Sequence, residues 1–376
     1  MSDNVIEKIE TVVFELPVKR IHELSGARMK SRTLLLIRIL TQEGLEGIGE
    51  VTLPGGPWWT GDTILGARYI IEHYFIPRLI GKDPFRIHYL MEQLDQVAYN
   101  NNPAKAGVEM ALFDLKAKAL QVPLYELLGG LYHEQIPITW ALGSSNVKEE
   151  IEEALTKLGD GFCRSFKIKM GFLDPADDVK RVKQLCKELA GKADLLIDLN
   201  ASWDEATAIR YLPGLIDAGV NLVEQPLERD NLLGLARVAS RINAPIILDE
   251  SNCTLPDVKN ITQVGANVIL SLKLMKTGGI VQCQRMAEIA RLWHLKCYGG
   301  SFLESSIGAA ANIHFGASLP GLAYGAEWVG PGLLADEIVV RKIGYQAHHV
   351  KVPGGHGLGV EIDEDKLKYY KNKSNN

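Results

Sequence analysis

The residues with the most chemical content recur at regular intervals through the middle of the chain. Lys167 and Lys169 lie in FKIKM, Asp198 and Asn200 in LLIDLN, Glu224 in NLVEQP, Asp249 and Glu250 in PIILDE, and Lys273 in VILSLK. Each closes a short apolar run, and the steps from Lys169 through Asp198, Glu224 and Asp249 to Lys273 are 29, 26, 25 and 24 residues. Charges brought together in this way are costly to bury unless they pair with one another or bind a metal. Asp198, Glu224 and Asp249 form a hard-oxygen set suited to Mg2+ or Mn2+. No His or Cys shares those run ends, which argues against zinc. Lys169 and Lys273 would flank the cation, and the neighbouring charge of Lys167 would tune Lys169 as a usable acid/base.

The elements that must position these groups follow from the pattern around them. Eight apolar runs alternate with helix-like segments such as 147–158 and 177–189. They cover 138–142, 166–170, 195–200, 221–226, 245–250, 268–273, 296–300 and 322–328. Strands alternating with helices give βαβ units and a parallel sheet. Eight of them point to closure into a barrel, whose chemistry sits at the carboxyl ends of the strands. Residues i and i+2 share a strand face. Lys167 and Lys169 should therefore face the barrel axis, with Phe166, Ile168 and Met170 toward the helices. By the same rule Asp198 and Asn200 face inward, and Ile197 and Leu199 outward.

The flanks read differently. Residues 5–16 and 33–40 have strand composition, and the second run continues through EGLEG to IGEV, a hairpin signal. Helical patterns follow at 62–73, 84–97 and 104–119, and LYELLGG ends on a helix-stopping Gly pair. After the barrel the chain returns to strand-like runs, EIVVRKI and HHVKVP. The expected organisation is an α/β protein with an α+β capping domain over 1–132, a barrel over 133–345, and a return to the cap over 346–376. Two domains also suit 376 residues.

Composition narrows the function classes. Lys+Arg total 41 against Asp+Glu 46, a formal charge of -5, with no basic field for nucleic acid and no basic run for a membrane surface. No apolar stretch approaches the roughly 20 residues of a membrane span. The opening MSDNVIEKIE has no apolar signal-peptide core. The five cysteines are scattered, with no C-x-x-C pair, and read as reduced thiols of a cytoplasmic protein. The nine histidines show no ligand spacing. Two segments could complete a pocket. The loop TLPGGPWWTGDT could form a lid in which Trp58 or Trp59 covers the barrel mouth. In GGSFLESSIG, backbone N–H groups around Gly300 and Ser301 could hold a carboxylate.

Taken in order, these segments resemble the enolase superfamily, in its mandelate racemase/muconate-lactonizing branch, over essentially the whole chain. The matching signatures are FKIKMG, IDLNASWDE, VEQP, LDES and LKLMKTGG, together with YGGSFLESSIG and GAEWVGPGLL. TLLLIRILTQEGLEGIGEVTLPGG and YELLGG also look like that family. The resemblance implies a (β/α)7β TIM-like barrel under an α+β cap built from the N-terminal part and the C-terminal tail. It implies Mn2+ or Mg2+ on Asp198, Glu224 and Asp249, Lys169 as acid/base, Lys273 opposite as electrostatic partner or alternate base, and Lys167 tuning Lys169. Glu327 would contact the substrate carboxylate, with Asn200 and Glu250 supporting the ligands from behind.

The implied activity is an isomerase reaction of aromatic catabolism, in the β-ketoadipate route. A small dicarboxylate, cis,cis-muconate or a substituted form, closes to muconolactone through an enolate. A homo-oligomer is implied too, an octamer being one form. The pocket wall departs from the family pattern: Gly300-Ser301-Phe302-Leu303-Glu304 replaces G-T-M-L-E, and Ala326-Glu327-Trp328-Val329 replaces T-E-L-F. Trp58-Trp59 stand where the cap loop usually has Tyr. These changes bear on the substrate. N-acylamino acid racemisation, dipeptide epimerisation and o-succinylbenzoate synthesis would use the same lysines and ligands, although the Asp-x-Asp usual in dipeptide epimerases is missing. A silent barrel would have lost a ligand or lysine, and a Schiff-base aldolase has no use for the carboxylates.

Overall fold

The computed structural model describes residues 4–24 and 27–373; the last residues of the expected C-terminal return, 374–376, lie outside them. In the N-terminal part, β1 (Ile6–Leu24), β2 (Ala27–Thr41) and β3 (Glu46–Val51) form an antiparallel sheet in that order. β1 outruns the expected 5–16 because a register shift after Pro17, which has no N–H to give, lets pairing with β2 resume. The helix Asn102–Ala119 lies directly on β3. A Cβ at Gly47 would stand 2.1 Å from Ala111 O, and one at Gly49 2.1 Å from Gly107 O. These glycines of EGLEGIGEV thus serve helix-on-sheet approach, while Gly44, at φ +80°, makes the turn. The expected helix 62–73 is divided into Ile64–Ile70, a π turn at Ile71–Phe75 and Ile76–Leu79. Pro77, just past the π turn, cannot donate to the preceding turn.

After the short β4 (Gln135–Pro137) come the barrel strands. They are β5 (Thr139–Leu142), β6 (Ser165–Lys169), β7 (Asp194–Asp198), β8 (Val220–Glu224), β9 (Ile246–Leu248), β10 (Val268–Leu272), β11 (Lys296–Gly299) and β12 (Leu322–Ala326). All eight lie in sequence order in one sheet. A parallel bridge from Ile138 to Ala326 joins its two edges and closes the ring. Every expected run became a strand.

The period-2 rule holds inside the barrel. Leu196, Leu222, Ile247, Ile269 and Tyr298 form a buried apolar cluster of their own, separate from the main core. Phe166, Ile168, Ile197 and Val223, one position off, belong to the core shared with the helices. Two residues beyond the inner cluster on the same strands come Asp198, Glu224, Asp249, Ser271 and Gly300. The barrel is thus filled with apolar side chains below and with charge at its carboxyl end.

In the C-terminal part, β13 (Tyr345–Gln346) and β14 (His349–Lys351) form a hairpin, and β14 pairs with β4. The helix Glu364–Lys373 packs on β1. Asp114 of the cap helix accepts hydrogen bonds from Ile48 N and Leu358 N, both at 2.8 Å, tying the tail to the cap. The strand-like EIVVRKI makes a single bridge, Val339 to Ile362, and no strand. Its Glu337 is buried and accepts from Ser306 N at 2.9 Å and Ser306 Oγ at 3.0 Å, at the start of the helix Ser306–Ala317.

Candidate active site

Lys167 and Lys169 rise from β6 into the barrel mouth as alternation requires, and both are buried. The carbonyl of Lys169 is held from outside the barrel by Arg181, which is itself gripped by buried Glu150 and Asp178. Asp178 also accepts from Gly171 N at 2.7 Å, fixing the turn that leaves β6. Arg181, Glu150 and Asp178 carry no site motif, and only tertiary contact reveals their task.

Asp198 ends β7 and accepts from Lys169 Nζ and, at 3.0 Å, from Asn200 N. Lys167 Nζ stands 3.8 Å from it. Asn200 and Ala201 have φ of +41° and +63°, and Gln225 after β8 has +33°. Such left-handed backbone is strained for residues other than glycine and concentrates at sites that need sharp turns. Here it turns the Asn200 amide into the mouth. Its Oδ1 is 3.4 Å from Lys169 Nζ, and its Nδ2 donates to Glu250 Oε1 at 3.1 Å.

Glu224 is fully buried at the end of β8. Lys167 Nζ is 2.6 Å from its Oε2, yet neither carboxylate oxygen has a hydrogen-bond partner. Burial, then the charge of Asp198, pushes its pKa up to about 8. Asp249 follows β9. Burial alone would raise its pKa, but Lys273 and Lys276 hold it well below the usual carboxylate range. Glu250 is pushed up to about 7, first by burial and then by Asp249. Lys167, which burial would discharge, stays cationic because Glu224 and Glu327 surround it. Lys273 likewise has a raised pKa: Asp249 outweighs burial.

Two residues of this network escaped the sequence reading. Lys276, one helical turn after Lys273, donates to Asp249 Oδ1 at 2.7 Å and Asp249 O at 2.8 Å. The signal was the i, i+3 spacing in KLMK. Gln225 of VEQP accepts from Asp249 N at 3.1 Å and Ser251 N at 3.2 Å, and donates to Ser251 Oγ and Leu227 O, both at 2.8 Å. It ties the turn after β8 to the turn after β9.

Above these groups lies a small, partly open cavity. Lys167, Lys169, Asn200, Lys273 and Glu327 line its barrel side, with Ser301, Phe302 and Leu303 on one wall. The cap closes it with Met29, Arg32, Pro54, Trp58 and Trp59. Glu327 accepts from Lys167 Nζ, while the next residue, Trp328, points the other way into the core against Gly299 and Gly316. Trp59 is buried and held: Nε1 donates to Glu250 Oε1 at 3.2 Å, and its ring meets Phe302 edge-on at 5.0 Å. Trp58 is 37% exposed at the rim.

Three expected pocket residues sit elsewhere or do other work. Gly300 is not a wall; a Cβ there would lie 2.7 Å from Lys273 Cε and 2.4 Å from Ser271 Oγ, so its bareness makes room for the Lys273 stem. Ser301 lines the cavity, but its hydroxyl is committed to Glu304 and Leu303 N. Val329 is buried behind the site, away from the cavity lining.

Among the described residues, no three His, Cys, Asp or Glu side chains cluster as a finished metal cage. Lysines take up Asp198 and Asp249. The donor set nevertheless fits a hard divalent cation. Glu224 presents two buried oxygens, Oε1 without a partner and Oε2 against the Lys167 ammonium alone, beside two more carboxylates on adjacent strands.

Comparison with known proteins agrees with this architecture. Residues 8–129 match the family described as Mandelate racemase / muconate lactonizing enzyme, N-terminal domain. Residues 146–366 match the one described as Enolase C-terminal domain-like. Muconate cycloisomerase 1 of Rhodococcus opacus is 39% identical over 98% of this chain and 99% of its own. A chloromuconate cycloisomerase of Cupriavidus pinatubonensis is 37% identical over 96% of each. The crystal structure of muconate lactonizing enzyme from Pseudomonas fluorescens complexed with muconolactone superposes with a TM-score of 0.96. It is 36% identical and covers 98% of this chain and 100% of that one. The chain therefore belongs to the mandelate racemase/muconate lactonizing enzyme family of the enolase superfamily, and is an isomerase of the muconate cycloisomerase type.

Proposed function

We propose that the protein converts cis,cis-muconate, or a chlorinated or methylated muconate, to the corresponding muconolactone. The observation that carries this reading is the placement of Lys169 and Lys273 across one cavity, above carboxylates on three adjacent strands. Asp198, Glu224 and Asp249 would hold Mn2+ or Mg2+. When bound, such a cation supplies positive charge that stabilises negative charge developing on a substrate carboxylate.

The chain's own residues do the rest. The cap and Trp59 exclude water, and the cavity holds the six-carbon chain bent so that one carboxylate oxygen reaches the distant double bond. Addition there forms the C–O bond of the lactone and leaves an enolate at the other carboxylate. Lys169 Nζ delivers a proton to the carbon α to that carboxylate and regains one from solvent, so the reaction is balanced as an isomerisation. Lys167 and Lys273 keep the site cationic as charge moves, and Glu327 orients Lys167. Asn200 and Glu250 fix the positions of Lys169 and Trp59.

The test is the ultraviolet absorbance of cis,cis-muconate with purified protein and Mn2+. Metal-dependent loss of the diene band supports the reading, and a spectrum unchanged relative to an EDTA-treated control overturns it. A second reading, racemisation of an N-acylamino acid or dipeptide, draws on the same opposed lysines. Deuterium exchange at the α-carbon without lactone formation would favour it. The free cysteines support a cytoplasmic location, and no described helix is long and apolar enough to cross a membrane. We take the assembly to be a homo-oligomer, which light scattering would size.

A further inference from the structure

The cap brings several residues to the cavity, and Arg32 on β2 is the charged one among those described. Arg32 is 2% exposed. Its Nη2 donates to the Phe302 carbonyl, and its Nη1 reaches Met29 Sδ at 3.4 Å, a weak acceptor. Its Nε is buried with no partner. Among the described residues it makes no ion pair. The two nearest carboxylates are already engaged. Glu304 accepts from Ser301 Oγ and Phe302 N, and Glu50 from Ser305 N, Ser305 Oγ and Thr52 Oγ1. A buried guanidinium with no ion pair is costly to maintain, and burial pulls its pKa down to about 10 against the more distant attraction of Glu304 and Glu50.

The cavity has two chemically distinct ends. The barrel end carries Lys167, Lys169 and Lys273 over the three carboxylates. The cap end is apolar, formed by Met29, Pro54 and Trp58, apart from Arg32. A monocarboxylate needs only the first end. A six-carbon dicarboxylate spans both, and its far carboxylate would be stranded in an apolar lining unless a donor met it. Guanidinium nitrogens present the fork that receives a carboxylate in two parallel hydrogen bonds.

We propose that Arg32 is the receptor for the second carboxylate of the substrate and sets the enzyme's selectivity for dicarboxylates over monocarboxylates. This rests on the dicarboxylate reading of the site and deepens it. The competing role for Arg32 is purely structural, as a clamp on the 300–305 loop through the Phe302 carbonyl.

The experiment uses two unreactive probes of equal carbon number, adipate with two carboxylates and hexanoate with one, titrated calorimetrically into the Mn2+-loaded protein. The wild type is expected to bind adipate about a hundredfold more tightly than hexanoate. Arg32→Gln should reduce that ratio to a few-fold, and Arg32→Lys, which keeps the charge but not the fork, should fall between. A ratio retained in Arg32→Gln, equal weakening of both probes, or no preference in the wild type would overturn the proposal. Should Arg32→Gln not fold, a crystal structure of the wild type with adipate decides instead. A carboxylate on the guanidinium supports the proposal, and one placed elsewhere overturns it. Muconate turnover is assayed in parallel. Absent turnover with an intact adipate preference removes the proposed reaction but not the receptor. Normal turnover with an unchanged ratio in the variant removes the receptor but not the reaction.

Discussion

Lys169 and Lys273 stand on strands four places apart in a ring of eight, so they enter the cavity from opposite walls. Both are buried, and both donate to an aspartate that ends a neighbouring strand. Their surroundings then diverge. Lys169 faces Asp198 and the amide oxygen of Asn200, with no aromatic ring over it among the described contacts. The Lys273 ammonium lies 5.1 Å from the Trp59 ring centre and 4.8 Å from that of Phe302, and its stem is confined by Gly300. Aromatic faces stabilise a cation, and the shared Asp249 adds to that. The same residue type at the same height of the barrel is thereby enclosed by aromatic rings on one wall and met only by polar partners on the other. Partners make that distinction.

The comparison can be broken most directly at Lys169. Lys169→Ala is expected to lower kcat by about 10³- to 10⁴-fold while Mn2+ still binds, read by steady-state kinetics beside metal titration. Appreciable residual turnover would transfer the proton-transfer role to Lys273. Asp249→Ala removes the partner of Lys273 and Lys276 and a proposed metal ligand. Mn2+ affinity should drop by about 100-fold or more, and activity with it; unaltered affinity would take Asp249 out of the ligand set.

Gly300→Ala acts on one wall only. The new Cβ must displace the Lys273 stem, and a loss of about 10- to 100-fold in kcat is expected with Lys169 untouched. Wild-type rates in this variant would mean that the position of Lys273 is unimportant. Lys273→Arg keeps a charge beneath the aromatic rings and should remain within about tenfold of wild type, whereas Lys169→Arg should behave like Lys169→Ala. Equal losses in the two arginine variants would erase the difference between the walls. The smallest effect belongs to Trp59→Tyr. It should shift the preference among muconate, chloromuconate and methylmuconate by a few-fold with little change in the rate on the best substrate, through loss of its hydrogen bond to Glu250. An unchanged preference would separate Trp59 from selectivity.

Much of this was legible in the chain itself, for a physical reason. Strand alternation is a period-2 code, so FKIKM already stated that its two lysines share a face, and five strand ends in succession stated that the face was charged. Helix boundaries were less legible: the pattern read as one helix over 62–73 is broken by a π turn at Ile71–Phe75 and runs on to Leu79. The tail misled because EIVVRKI has strand composition, while its fate was decided by Glu337 packing on a helix start some 30 residues away. Lys276 was missed because an i, i+3 lysine pair usually means a solvated helix face, and only the fold buries this one against Asp249.

What the sequence determined by itself was the order of the eight strands and the inward face of those carrying Lys167, Lys169 and Asp198, and with them the lysines and carboxylates at the barrel mouth. Both follow from local periodicity and from spacings that βαβ units impose. What only the tertiary structure decided was which partner each charge takes and what closes the cavity above it. Arg32 is more than 130 residues from the nearest lysine of the barrel mouth, Lys167, and nothing in SRTLLLIRI distinguishes it from a surface arginine on an amphipathic strand. It becomes a buried, unpaired cation facing the site because the cap sheet folds over the barrel, a contact that no local pattern encodes. The same holds for Gly300 under Lys273, Gln225 across two turns and Val329 behind the wall. Each is defined by a neighbour distant in sequence, and burial assigns its role.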